Sequence, residues 1–240
     1  PAALEQTPVT ELRRRGSRVR TGPDRHTGRR LLSEIVVVVA GAMVVSVLVR
    51  ALLVQAFYVP SPSMEDTLLP SDRILASKLS TRLGGVNRGD IVVFSDPGGW
   101  LPPSTASPGV AASVLSWLGL AASPSDQDLV KRVIGVAGDR VACCDADGRI
   151  LLNGKALDES YLPPGTTTDQ VLFDVTVPAG TVFVMGDNRG DSRDSRYHLR
   201  ENNGGVPLDD VVGQVVAVIW PADRWAAVDV PPTFDDIPSP

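Results

Sequence analysis

The 240-residue chain contains very little histidine or cysteine. Its two histidines, His26 and His198, stand far apart, and its two cysteines, Cys143 and Cys144, are neighbours. Adjacent thiols without a histidine cluster have no metal-ligand spacing, so no metal site is expected. The two thiols can form a vicinal disulfide, pair between chains or stay free, and no function rests on the choice. Aromatic residues make up only 5% of the chain, against 22 glycines and 20 prolines, which suits a loop-rich β-domain. A second long apolar run is missing, because the chain after Trp220 is polar and proline-rich. Basic charge is concentrated at one end. Residues 1–30 carry eight arginines against Glu5, Glu11 and Asp24, and the remaining 210 residues hold −10 of a total of −5. A basic tail before an acidic body with no basic stripe excludes a nucleic-acid-binding pattern. The chain begins at Pro1 rather than methionine, so its true start can lie upstream.

One long apolar run is present. Ile35–Val49 carries no charge, and Ala51–Val59 stays apolar apart from Gln55. With Leu32–Ala56 as outer limits, the run meets the roughly 20 residues needed to cross a bilayer, provided Arg50 snorkels to an interface. Glu34 sits at the inner end, and the arginines ahead of it place the N-terminus inside. Three segments are therefore expected: a basic cytoplasmic tail over 1–30, a single-pass plasma-membrane anchor over 31–56 and an extracytoplasmic domain over 57–240. Val54-Gln55-Ala56 resembles a small-x-small cleavage site, but the run exceeds a usual signal-peptide core, which favours an anchor. A buried core helix would not carry such a basic flank.

The outer domain reads as mostly β, an antiparallel sheet domain with a small β-meander subdomain. Strands are expected over Arg73–Leu79, Asp90–Phe94, Gln127–Val136, Val171–Val177, Thr181–Met185 and Val211–Trp220. The small subdomain falls within 141–180, with hairpin turns at Asp147-Gly148 and Asn153-Gly154. Residues 97–128 form a Pro/Gly/Ser/Ala-rich insertion expected to be a flexible surface loop. Its Trp100, Leu101, Trp117, Leu118 and Leu120 are candidates for touching lipid. Pro60 and Pro62 forbid regular ladder pairing around Ser63.

Chemistry concentrates at three places. Ser63 needs a base to become a nucleophile, and histidine is scarce. Lys131 lies in an expected strand between Leu129 and Val133 on the same face, an apolar setting that depresses an amine pKa towards a usable base. An ordinary strand lysine snorkelling to solvent is the competing reading. The loop Gly186–Arg196, with Asp187, Asn188, Arg189, Asp191, Ser192, Arg193 and Asp194, is dense enough in acids and arginines to brace itself by ion pairs. Its acidic spacing does not match a calcium loop.

Four blocks then occur in order: Pro60-Ser61-Pro62-Ser63-Met64 with Thr67-Leu68, Arg88–Phe94, Lys131–Gly135 with Gly138-Asp139, and Gly186–Arg196. Together they resemble bacterial type I signal peptidases, over about 57–196. Val136-Ala137-Gly138-Asp139 departs slightly from the family's usual proline before Gly-Asp. The resemblance implies Ser63 as nucleophile and Lys131 as general base. Ser61 and the Ser63 amide would form the oxyanion hole, and Ser192 would orient the lysine. Asp187, Arg189, Asp194 and Arg196 would brace the loop. Shallow substrate pockets would fall on Phe57, Val59, Met64, Leu68, Ile74, Val93, Leu129 and Val130. The implied activity is removal of signal peptides from translocated preproteins at small-x-small sites, without cofactors. The implied partners are preprotein signal peptides, the lipid bilayer and the protein translocation machinery. Competing readings are a Ser-His-Asp hydrolase using His198 and a non-catalytic membrane-anchored interaction module. A repressor-type self-cleaving relative would need a helix-turn-helix that residues 1–30 do not provide.

Overall fold

The structure, a computed structural model, describes residues 25–102, 128–168 and 170–240. The tail before residue 25 and most of the insertion, including Trp117, Leu118 and Leu120, lie outside the described residues. The chain divides into two units, one up to Met43 and one from Val44 onward. In the first, helix α1 begins and runs Arg25–Leu52 across the boundary. Among the described residues, no helix is long and apolar enough to cross a membrane. The apolar side chains of Ile35–Val39, Met43, Val44 and Val45 are all more than half exposed.

The second unit is mostly antiparallel β. Its larger sheet contains β1 (Val54–Tyr58), β2 (Arg73–Ser77), β3 (Ile91–Ser95), β4 (Asp128–Val136), β9 (Thr181–Met185), β10 (Gly205–Pro207) and β11 (Val211–Trp220), with β12 (Ala226–Ala227) on β11. Their spatial order is β1-β2-β11-β3-β4-β9-β10. The smaller sheet, β7-β6-β5-β8, is built from β5 (Arg140–Cys143), β6 (Ile150–Leu152), β7 (Lys155–Ala156) and β8 (Phe173–Thr176). Asn153 and Gly154 both take positive φ between β6 and β7, as a type I′ hairpin turn requires.

Local chemistry sets the boundaries. The expected strand Arg73–Leu79 stops at Ser77, because Ser77 Oγ accepts the Ser80 amide at 3.1 Å and caps the short helix α2 (Lys78–Leu83). β3 is buried on both faces, so its β-branched run serves two cores. Ile91 and Val93 pack with Phe57, Met64 and Val130, while Val92 and Phe94 pack with Leu129, Val133 and Val184. A third cluster, around Ile134, Val141, Leu152, Phe183 and Phe234, joins the smaller sheet to the larger one. Cys143 and Cys144 are bonded to each other and pack against this cluster.

Candidate functional site

The segment after β1 is extended up to Ser61 and then turns through a single 3₁₀ turn, Pro62–Met64. Pro62 has no amide hydrogen to donate, which suits the first position of such a turn. The turn buries Ser63 and Met64 against β4. β4 brings in Lys131 from 68 residues away, and its Nζ lies 2.7 Å from Ser63 Oγ. Nζ also donates to the Val130 carbonyl at 3.0 Å. Lys131 is only 3% exposed, and burial lowers its ammonium pKa to about 8 despite the opposing pull of Asp194 and Asp187. An ordinary strand lysine would reach solvent; this one does not. Ser61 Oγ lies 3.2 Å from Ser63 Oγ.

These groups line one end of an apolar cavity of about 310 Å³. Six of the expected pocket residues line it: Phe57, Val59, Met64, Val93, Leu129 and Val130. Leu68 and Ile74 do not. Both are fully buried in the core around Phe57 and Val218. Tyr58, Pro60, Leu101 and Asp128 line it although sequence reasoning did not select them.

The Gly186–Arg196 loop packs directly behind Ser63. The Asn188 amide donates to the Ser63 carbonyl at 3.1 Å, and its side chain donates to the Pro62 carbonyl at 3.2 Å. A Cβ on Gly186 would overlap both the Ser63 carbonyl and Ser192 Oγ, so only glycine fits there. Three buried ion pairs hold the loop. Arg132 forks onto Asp187 at 2.9 and 2.7 Å, Arg196 forks onto Asp194 at 2.8 and 2.9 Å, and Arg189 pairs with Glu159. Asp187 also accepts from Thr67 at 2.6 Å, and Asp194 from the Gly186 amide at 3.0 Å. Arg132 and Glu159 were not selected from sequence; their partners lie 55 and 30 residues away, and only the fold joins them. Burial, with Glu159 beside it, holds the Tyr161 phenol well above its ordinary value under the Arg132 guanidinium.

Two expectations are corrected. The hydrogen bond from Ser192 to Lys131 is not formed: Ser192 Oγ is buried without a partner, beside Gly186 and Ser63. His198 is not placed as a base for Ser63. It stacks flat on Trp100 at 4.4 Å, and burial lowers its pKa. Trp100 is accordingly buried, at 6% exposure, and Leu101 faces the cavity, so neither is a free lipid-facing side chain.

A hydroxyl held against a buried amine at the end of an apolar cavity, on an antiparallel β scaffold, is an arrangement suited to a hydrolase. Residues 32–220 match the family "Signal peptidase, peptidase S26", and the chain belongs to that family. It is an enzyme, a serine endopeptidase of the signal peptidase I type. A signal peptidase I of Mycobacterium tuberculosis is 35% identical across 95% of this chain and 85% of its own. A probable signal peptidase I of Mycobacterium leprae is 37% identical across 72% and 70%. A signal peptidase I of Leptolyngbya laminosa is 32% identical across 80% and 82%.

Proposed function

We propose that the protein is a membrane-tethered endopeptidase that removes signal peptides from translocated preproteins at small-x-small sites, using Ser63 and Lys131 as a dyad. The 2.7 Å approach of Lys131 Nζ to Ser63 Oγ, in a site that lowers the lysine pKa to about 8, carries the reading. About a tenth of such a lysine is neutral at pH 7, compared with less than a thousandth of a free one.

Ser63 Oγ bonds to the scissile carbonyl carbon as its proton passes to Lys131 Nζ. The developing oxyanion is met by the Ser63 amide and the Ser61 hydroxyl, a rotor that leaves Ser63 Oγ to do so. The C–N bond breaks as Nζ returns the proton to the leaving amine. Water then attacks the acyl-enzyme and gives its proton to Nζ; the ester C–O bond breaks as Nζ passes that proton to Ser63 Oγ, which frees the serine and the carboxyl end of the cleaved peptide. The ion-paired loop fixes the back of Ser63, and no cofactor is needed.

An apolar cavity lined by Phe57, Val59, Met64 and Leu129 suits small apolar residues on the acyl side of the bond. An extended substrate adds its backbone to the strand edges at the cavity. The uncharged run Ile35–Val49 after eight arginines supports an N-inside anchor, and its exposed side chains fit lipid better than water. The translocation machinery would deliver substrate to that outer face. Cleavage of a purified preprotein with an Ala-x-Ala site tests the reading: the unchanged chain cleaves it, and Ser63→Ala and Lys131→Ala do not. Retained turnover in either variant would sink the dyad.

A further inference from the structure

Tyr161 carries a phenol for which the reaction above has no use. It stands in the loop after β7, where the Leu162 amide donates to the Glu159 carbonyl at 3.0 Å and closes a turn. Its ring stacks on Phe234, with centroids 6.3 Å and planes 27° apart. The Arg132 guanidinium carbon lies 4.3 Å from the ring centroid, a cation against the electron-rich face. The hydroxyl donates to Glu159 at 2.8 Å, and Arg189 donates to the same oxygen at 3.4 Å. Burial and the charge of Glu159 keep the phenol protonated, so it stays a donor.

Tyr161 therefore touches two ion pairs that tie the Gly186–Arg196 loop to the rest of the domain. The edge of Arg132 is taken up by Asp187 and by the Gly89 carbonyl at 2.9 Å, and its face by the Tyr161 ring. Arg189 is held by Glu159, and its Nε donates to the Gly186 carbonyl at 3.0 Å, next to the glycine that abuts Ser63 and Ser192. Asp187 and Asp194 are the two carboxylates whose charge acts on Lys131; Arg132 covers the first and Arg196 the second. We infer that Tyr161 is a positioning residue for the cleavage proposed above, holding Arg132 on Asp187 with its ring and Glu159 on Arg189 with its hydroxyl. The inference rests on the peptidase reading and adds to it a residue that lies between the third and fourth sequence blocks. Without the ring, Arg132 loses the contact on its face and Asp187 is covered less closely. Its charge then favours the ammonium form of Lys131, and the base is neutral less often at a given pH.

The test uses the full chain in detergent, with kcat and KM for an Ala-x-Ala preprotein measured from about pH 6 to 10 on variants shown to be folded by circular dichroism. Tyr161→Phe keeps the ring and loses the hydroxyl. Its kcat should fall about threefold or more with KM little changed, and the rising limb of kcat/KM should keep its midpoint near pH 8. Tyr161→Leu loses both. Its kcat should fall about tenfold or more, and the midpoint should move up by about half a pH unit or more. That upward move should largely vanish when Tyr161→Leu is made in an Arg132→Lys background, because the ring acts through the guanidinium. A role confined to stability would lower the denaturation midpoint and leave kcat and the pH limb of the folded enzyme in place. That result in both variants overturns the inference, as does a shift of full size in the Arg132→Lys background, which marks general exposure of Lys131. Should Tyr161→Leu not fold, an unchanged kcat in Tyr161→Phe overturns it alone. Failure of the unchanged chain to cleave the preprotein overturns the peptidase reading and the inference with it.

Discussion

Lys131 is the residue on which the proposed chemistry turns. Its folded pKa of about 8 lies below the ordinary 10.5 because burial disfavours the charge. The free enzyme should therefore show a rising limb in kcat/KM with a midpoint near pH 8. The same shift bears on stability. Below pH 8 the amine is charged in both folded and unfolded chains, so the folded state carries the full desolvation cost. Between pH 8 and 10.5 the folded state sheds its proton first and the cost fades. Lys131→Met should thus be inactive yet more stable at pH 7, by up to about 3 kcal/mol, and the advantage should vanish above pH 10.5. Denaturant melts across that pH range check this; a pH-independent difference would contradict it. His198→Ala should keep turnover, since His198 stacks on Trp100 rather than on Ser63. Ser63 and Lys131 were legible because each sits in a short recognisable block. Leu68 and Ile74 are fully buried in the core rather than on the cavity lining, a distinction that sequence cannot draw among the apolar side chains of one wall.

At the scale of elements, the loop from Gly186 to Arg196 is a buried brace rather than a solvated turn. Its density of acids and arginines announced ion pairs, but not the partners. Arg132 and Glu159 come from β4 and the loop after β7, and no local pattern links them to Asp187 and Arg189. Removing one member leaves an uncompensated buried charge. Arg132→Ala should cost about 3–5 kcal/mol, read as a lowered denaturation midpoint. Gly186→Ala should cut activity severely, because the added carbon collides with the Ser63 carbonyl and Ser192 Oγ. Activity equal to the unchanged chain would mean the loop can move away from Ser63. The strands were largely legible from β-branched content and turn residues. Lys78 and Leu79 were lost to a serine cap that ends β2 early, the strand expected over 171–177 is confined to Phe173–Thr176, and Val54–Ala56, expected as the end of the anchor, belong to β1.

At the scale of the whole molecule, an acidic β-domain follows an apolar helix with exposed side chains and an arginine-rich lead-in. The chain should float with anionic vesicles and resist alkaline extraction, and deletion of residues 1–53, which leaves β1 whole, should release the catalytic domain. Extraction of the intact chain into the soluble fraction would contradict the anchor. The most direct test of the dyad is cleavage of a purified Ala-x-Ala preprotein by the unchanged chain, Lys131→Ala and His198→Ala in parallel. The account predicts that the unchanged chain and His198→Ala cleave, while Lys131→Ala falls by about a thousandfold or more. Loss in His198→Ala with retention in Lys131→Ala would contradict it.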